Sequence, residues 1–221
     1  MAHSFWDVPF LSYFDLRSKV LSFRNKNERF LFCIPLTYSY FCNMKPEELI
    51  HRYCKDNSAL ENVLLKHSTD VANRALKIAD NHPEFKIDRD FLYEAAMLHD
   101  IGIVYVDAPA IHCYGSEPYL KHGLLGAELL RKEGLPAHAR VAERHTGTGL
   151  TRDEILKQSL PLPLADYRPE TLEEQIICYA DKFYSKTRLM EEKTYEAALA
   201  SLRRFGEAGL AVFTEWKLRF E

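Results

Sequence analysis

The chain has 221 residues, with 29 Lys and Arg against 32 Asp and Glu, nine His and five Cys. A content of 47% apolar and 28% charged residues is that of a globular protein with a buried core, and the length suits one domain with or without an appendage. A net charge of −3 argues against recognising nucleic acid or an anionic membrane through bulk positive charge. Cys33, Cys42, Cys54, Cys113 and Cys178 are odd in number, scattered and without a CxxC pair, which predicts a reducing, cytoplasmic setting rather than a disulfide framework.

The first 43 residues stand apart in composition. They hold 11 of the 27 aromatic side chains, with five basic and three acidic residues. Their longest uncharged run, from Phe30 to Met44, is interrupted by Pro35, Thr37, Ser39 and Asn43. A spanning helix needs about 20 apolar residues, so no membrane segment is expected there. Nor is a signal peptide expected, because Asp7 precedes any Lys or Arg and the apolar run comes late. Residues 1–43 read either as a strand-like or irregular extension, or as a stretch upstream of a natural start at Met44. Met44-Lys45-Pro46-Glu47-Glu48 makes an ordinary beginning to a helix, which inclines the reading to the second alternative.

From residue 44 to 221 the pattern predicts an all-α domain. Leu60, Val63, Leu64, Val71, Leu76 and Ile78 follow helical spacing over about 59–81, ended by Asn81-His82-Pro83. Asp88 or Asp90 caps the next helix, whose apolar face is Phe91, Leu92, Ala95, Ala96 and Leu98. A loop of about 15 residues is expected after Gly102. Helical spacing resumes over Tyr119–Arg131, and Pro136 opens a helix to about 145. Thr151 with Glu154, and Thr171 with Glu174, are capping boxes for a short helix and for one expected to reach about 190. A last helix is expected over about 192–218.

On that scaffold His67, the adjacent pair His99-Asp100, His122, His145 and Asp181 come from separate helices. Neutral imidazole and carboxylate are ligands for divalent Fe, Mn, Ni, Co or Zn, and helical bundles build metal sites from inward-facing side chains. His99-Asp100 follows Met97-Leu98, and Asp181 follows Ile177-Cys178-Tyr179-Ala180. A carboxylate in such apolar surroundings needs a partner, and a metal ion supplies one.

The segments Lys66-His67-Ser68, Ala95-Ala96-Met97-Leu98-His99-Asp100-Ile101-Gly102, Lys121-His122-Gly123, Glu143-Arg144-His145-Thr146-Gly147 and Tyr179-Ala180-Asp181-Lys182 together resemble the HD superfamily of metal-dependent phosphohydrolases, in its HDIG-type, six-ligand form. The resemblance covers about residues 60–190 and implies an HD-domain helical bundle with a metal site in its core. His67, His99, Asp100 and Asp181 correspond to the superfamily's mononuclear set, and His122 and His145 to the two further ligands of its two-metal variant. It implies that Asp100 bridges two divalent transition-metal ions (Mg being a further candidate) and that water attacks phosphorus in a phosphomonoester or phosphodiester, with a nucleotide as expected substrate. Asp100, His112 and Lys182 are the expected catalytic residues, His112 as a proton donor from the loop. Lys66, Lys121, Arg144, Lys182 and Lys186 are candidate phosphate contacts, Lys182 and Lys186 sharing a helix face. Many relatives follow the doublet with Ile-Gly-Lys, where this chain has Ile101-Gly102-Ile103, and the Gly-Tyr-Pro signature of cyclic-dinucleotide phosphodiesterases is missing. The alternatives are a di-iron oxygenase using the same six ligands, and a non-catalytic nucleotide-binding module. The expected partner is a small phosphate ester, with neither nucleic acid nor membrane.

Overall fold

Side chains that accept a hydrogen bond from the first turn open most of the helices. The computed structural model describes residues 11–15, 20–25, 28–33, 45–189, 191–203 and 206–221, and divides the chain into two units, Met1–Met44 and Lys45–Glu221. In the first unit, β1 (Leu11–Asp15), β2 (Val20–Asn25) and β3 (Glu28–Cys33) form an antiparallel sheet in the order β1-β2-β3, with Phe23 opposite Phe30 in the β2–β3 register. Met44 itself, and with it the alternative start, lies outside the described residues.

The second unit is helical. Pro46 and two acids in the first turn begin α1 (Pro46–Cys54). The Asn57 side chain accepts from Leu60 N at 3.0 Å and opens α2 (Ser58–Asn81), the longest described helix at 24 residues. Asp88, rather than Asp90, caps α3 (Arg89–Leu98) through Phe91 N. Then come α4 (His122–Lys132) and α5 (Pro136–Arg144). Both expected capping boxes are present, at α6 (Arg152–Lys157) and α7 (Leu172–Asp181). Thr194 caps α8 (Tyr195–Leu202), and α9 (Glu207–Phe220) ends the chain. The core between the helices is apolar and fully buried, with Leu64, Leu92, Leu130 and Tyr179 among its larger side chains.

Four boundaries differ from the sequence reading. The helix expected to reach about 190 stops at Asp181, and residues 182–189 turn. There the Ser185 hydroxyl accepts from Thr187 N at 3.3 Å, a local side-chain bond that competes with the helical ladder. Lys182 and Lys186 therefore do not share a helix face. The last expected helix is two, separated at Gly206, whose φ of 96° no continuing helix accepts. The segment read as one helix from Tyr119 begins as a 3-10 turn, Tyr119–Lys121, before α4. The long loop after Gly102 contains a 3-10 turn, Ile101–Tyr105, and a two-residue hairpin of β4 (Asp107–Ala108) and β5 (Cys113–Tyr114), too short to show any alternation.

Two glycines set how closely elements approach at the centre of this unit. A Cβ on Gly102 would lie 2.0 Å from His122 O and 2.3 Å from Gly126 N, so the turn after the His99-Asp100 doublet rests directly on the α4 backbone. A Cβ on Gly123 would lie 2.7 Å from Ala142 O, where α4 meets α5. Because the groups in the way of Gly102 are backbone, nothing can rotate aside. Gly102→Ala is expected to destabilise the protein by about 3 kcal/mol, read from the urea midpoint at unchanged slope.

Candidate metal centre

Five helices or helix ends deliver six side chains to one buried point. His67 comes from the middle of α2, His99 and Asp100 from the end of α3, and His122 from the start of α4. His145 follows the last residue of α5, and Asp181 closes α7. All six are buried, His99 and Asp100 completely.

Three of the rings are aimed by the same local device. His99 Nδ1 lies 2.6 Å from Ala96 O, His122 Nδ1 2.7 Å from Tyr119 O, and His145 Nδ1 2.7 Å from Ala142 O, each three residues back. A carbonyl only accepts, so each Nδ1 donates; the carbonyls of Ala96 and Ala142 lie in the last turns of α3 and α5, where intrahelical partners run out, while that of Tyr119 also takes the His122 backbone N–H of its 3-10 turn. The donated proton leaves Nε2 of the neutral ring with its lone pair turned inward, the tautomer a metal ligand needs.

Those inward atoms converge on Asp100. His67 Nε2 and His99 Nε2 are each 3.0 Å from Asp100 Oδ2, and His67 Nε2 is 3.0 Å from Asp181 Oδ1. His145 Nε2 and His122 Nε2 lie 3.3 and 3.4 Å from the other oxygen, Asp100 Oδ1, and 2.9 Å from each other. Despite these distances, His67 Nε2, His99 Nε2 and both Asp100 oxygens make no aligned hydrogen bond. Buried donors and acceptors are almost always satisfied by aligned bonds, so close atoms that share a focus without aligning are what a cation between them would satisfy. The atoms form two groups that could each hold an ion: His67, His99, Asp100 and Asp181, and Asp100, His122 and His145. Asp100 belongs to both.

The charges suit that use. Burial acts most strongly on Asp100 and pushes its carboxyl up, but Lys186, His99, His145 and His67 outweigh it and hold the group well below the usual carboxylate range. At Asp181, burial is again the strongest influence and again loses, here to Lys182, His67, His99 and Lys186. Burial, then the neighbouring His145, pushes His122 down to about 3, and burial lowers His145 also, which favours the neutral ring in both. His99 goes the other way: burial pulls it down, but the Asp100 and Asp181 carboxylates raise it to about 9.

A cavity of about 740 Å³ opens onto the cluster. His122, His145, Asp181, Lys182 and Lys186 line it together with the apolar side chains of Ile111, Leu160 and Leu202. Lys182 Nζ donates to Asp181 Oδ2 at 2.6 Å and to His145 O at 2.9 Å. Of the other cations proposed from sequence, Lys121 pairs with Glu117, Arg144 is held by Arg168 O and Glu170, and neither they nor Lys66 line the cavity. His112 is exposed, at the left-handed end of a 3-10 turn, and is not among the lining residues. Ile103 is fully buried in the core. The sequence reading passed over Tyr119 and Tyr184. Both line the cavity, the Tyr119 ring 4.7 Å from that of His122, yet each looks in sequence like an ordinary helix residue.

A helical unit whose buried histidines and aspartates converge in this way could hold a metal ion at its centre. The chain belongs to the HD domain family, whose model matches residues 64–185, and this family binds divalent metals. It is 30% identical over 182 residues to a tRNA (cytidine(56)-2'-O)-methyltransferase of Picrophilus torridus, covering 82% of this chain and 48% of that enzyme. It is 36% identical over 138 residues to an uncharacterized protein of Methanocaldococcus jannaschii, covering 61% of this chain and 73% of that protein. The chain thus spans about half the length of the methyltransferase it matches. Among solved structures, the HD domain of the L. monocytogenes phosphodiesterase PgpH aligns with a TM-score of 0.46 and 18% identity, over 78% of this chain and 95% of that domain. Among the described residues, no helix is long and apolar enough to cross a membrane.

The raised His99 has a measurable consequence. A group whose folded pKa exceeds its unfolded value stabilises the fold below the unfolded value and loses that effect as pH rises through the folded one. With a chelator present, the part of the unfolding free energy that His99→Gln removes is expected to be full below pH 6.5 and gone above about 9, as read from urea midpoints across that range.

Proposed function

We propose that the chain is a divalent-metal-dependent phosphohydrolase acting on a small phosphate ester, with a nucleotide as its substrate. One observation carries the reading: two groups of donor atoms that share the buried Asp100 carboxylate. In this reading His67, His99, Asp100 and Asp181 hold one ion, and Asp100, His122 and His145 hold a second. Mixed imidazole and carboxylate donors suit Mn, Fe, Co, Ni or Zn. Bound there, the ions supply Lewis acidity, which lowers the pKa of water and neutralises charge on a phosphoryl group.

The residues of the chain do the rest. Asp100 spans the two groups and sets their separation. The carbonyl-anchored rings of His99, His122 and His145 hold their geometry without reorganising. Lys182 keeps Asp181 oriented and adds positive charge at the cavity wall, where a phosphoryl oxygen gains charge during attack. Ile111, Leu160 and Leu202 offer apolar contact to the rest of the substrate. His112, exposed and off the cavity wall, takes no part in this proposal. The activity named for the Picrophilus relative belongs to a protein of which this chain matches 48%.

The test is a panel of nucleotides and model phosphodiesters with Mn, Fe, Co, Ni and Mg, scored for phosphate or nucleoside release. Release is expected to depend on added cation and to stop with chelator. Asp100→Asn and His122→Ala are each expected to lower kcat/KM on the order of a thousandfold while leaving the protein folded. Substrate-dependent O₂ uptake without phosphate release would overturn the hydrolase reading in favour of an oxygenase built on the same ligands.

A further inference from the structure

After α7 the chain makes a tight turn. Ser185 and Arg188 bridge, with Arg188 N donating to Ser185 O at 3.4 Å, and Ser185 Oγ takes Thr187 N at 3.3 Å. Lys186 is one of the two residues at the tip of that turn, and its side chain points inward. Its Nζ is 2.5 Å from Asp100 Oδ2, and only 11% of the side chain is exposed. The same oxygen has His67 Nε2 and His99 Nε2 at 3.0 Å. Lys186 also lines the cavity, beside Ser185, Thr187 and Lys182.

Two demands therefore fall on one oxygen. A carboxylate oxygen facing two imidazole nitrogens is where a divalent cation would bind, and an ammonium at 2.5 Å crowds it. Like charges a few ångströms apart repel strongly in a protein interior, so the two cations cannot share that oxygen. Lysine is the residue able to yield. Its charge sits on a flexible four-carbon stem, and here the stem rises from a turn rather than from a helix. The adjacent space for a displaced ammonium is the cavity that Lys186 already lines. There a phosphate is the anion that would replace the carboxylate as its partner.

We propose that Lys186 and a divalent cation compete for Asp100, and that the displaced ammonium becomes the anion contact of the cavity, so that metal loading creates the phosphate-binding charge. The inference rests on the metal reading proposed above and deepens it. Lys186 would then be a substrate-binding residue delivered by the turn.

The test uses the full chain with Lys186→Gln and Lys186→Met, both checked by thermal melting, and reads binding rather than turnover. Mn²⁺ is titrated against each protein and followed by loss of the free-ion electron paramagnetic resonance signal. With the competing charge removed, Mn²⁺ is expected to bind about tenfold more tightly or better in both variants. Inorganic phosphate titrated calorimetrically into Mn²⁺-saturated protein is expected to bind about tenfold more weakly in both, and Lys186→Arg to retain phosphate binding. Lys121→Gln, whose parent side chain pairs with Glu117 away from the cavity, is expected to change neither constant. Unchanged or weaker Mn²⁺ binding in the Gln and Met variants, or unchanged phosphate binding, would overturn the proposal. A chain that gave the expected binding shifts but hydrolysed no phosphate ester would overturn the hydrolase reading and leave this one standing.

Discussion

Everything in the helical unit is arranged around one buried carboxylate. Asp100 is fully inaccessible to solvent and stays charged, which in a protein interior is costly unless opposite charge and polar contacts surround it. Four imidazoles and an ammonium do surround it, brought from α2, α3, α4, α5 and the turn after α7. No two of those elements could part without exposing or stranding the charge. The close approaches at Gly102 and Gly123 follow from the same need, since His122 can face Asp100 and His145 only if α4 lies directly against its neighbours.

The precision of the cluster comes from groups one step removed from it. Helix ends are used as anchors: the carbonyls of Ala96 and Ala142, left over where α3 and α5 stop, orient His99 and His145. Cys178, one turn before Asp181 on α7, donates to His145 O at 3.3 Å and ties that helix to the end of α5. Farther out, Tyr179 packs against Phe183, Phe213 and Phe220, and its hydroxyl donates to Glu221 Oε1 at 2.8 Å. The Arg74 guanidinium lies 3.5 Å from the Phe183 ring centre and pairs with Glu221. These contacts join α2 and α9 to α7, so the C-terminal helix helps hold the helix that presents Asp181.

Much of this was legible in the residues. Period-3.6 apolar spacing, the capping residues Asp88, Thr151 and Thr171, and the stop at His82-Pro83 are local signals, and the structure follows them. The boundaries that moved were set by less local balances. Lys182, Lys186 and the two hydroxyls between them read as a continuing helix, because spacing cannot show that Ser185 will bond to Thr187 N instead of joining the ladder. The break at Gly206 was equally silent, since one glycine inside a helical pattern is tolerated at a cost and does not by itself mark an end.

The sequence by itself determined the helical class of the main unit and the six residue types at its centre, because periodicity, caps and the order of His67, His99-Asp100, His122, His145 and Asp181 are properties of the chain. Only the tertiary structure decided what faces them. It set Lys186 against Asp100, kept Lys66, Lys121 and Arg144 off the cavity wall, left His112 exposed, and lined the cavity with Tyr119 and Tyr184. The reason is physical: a charged or aromatic side chain is placed by the partner it finds across the fold. Lys186 and Asp100 are 86 positions apart in the chain, where no local pattern joins them.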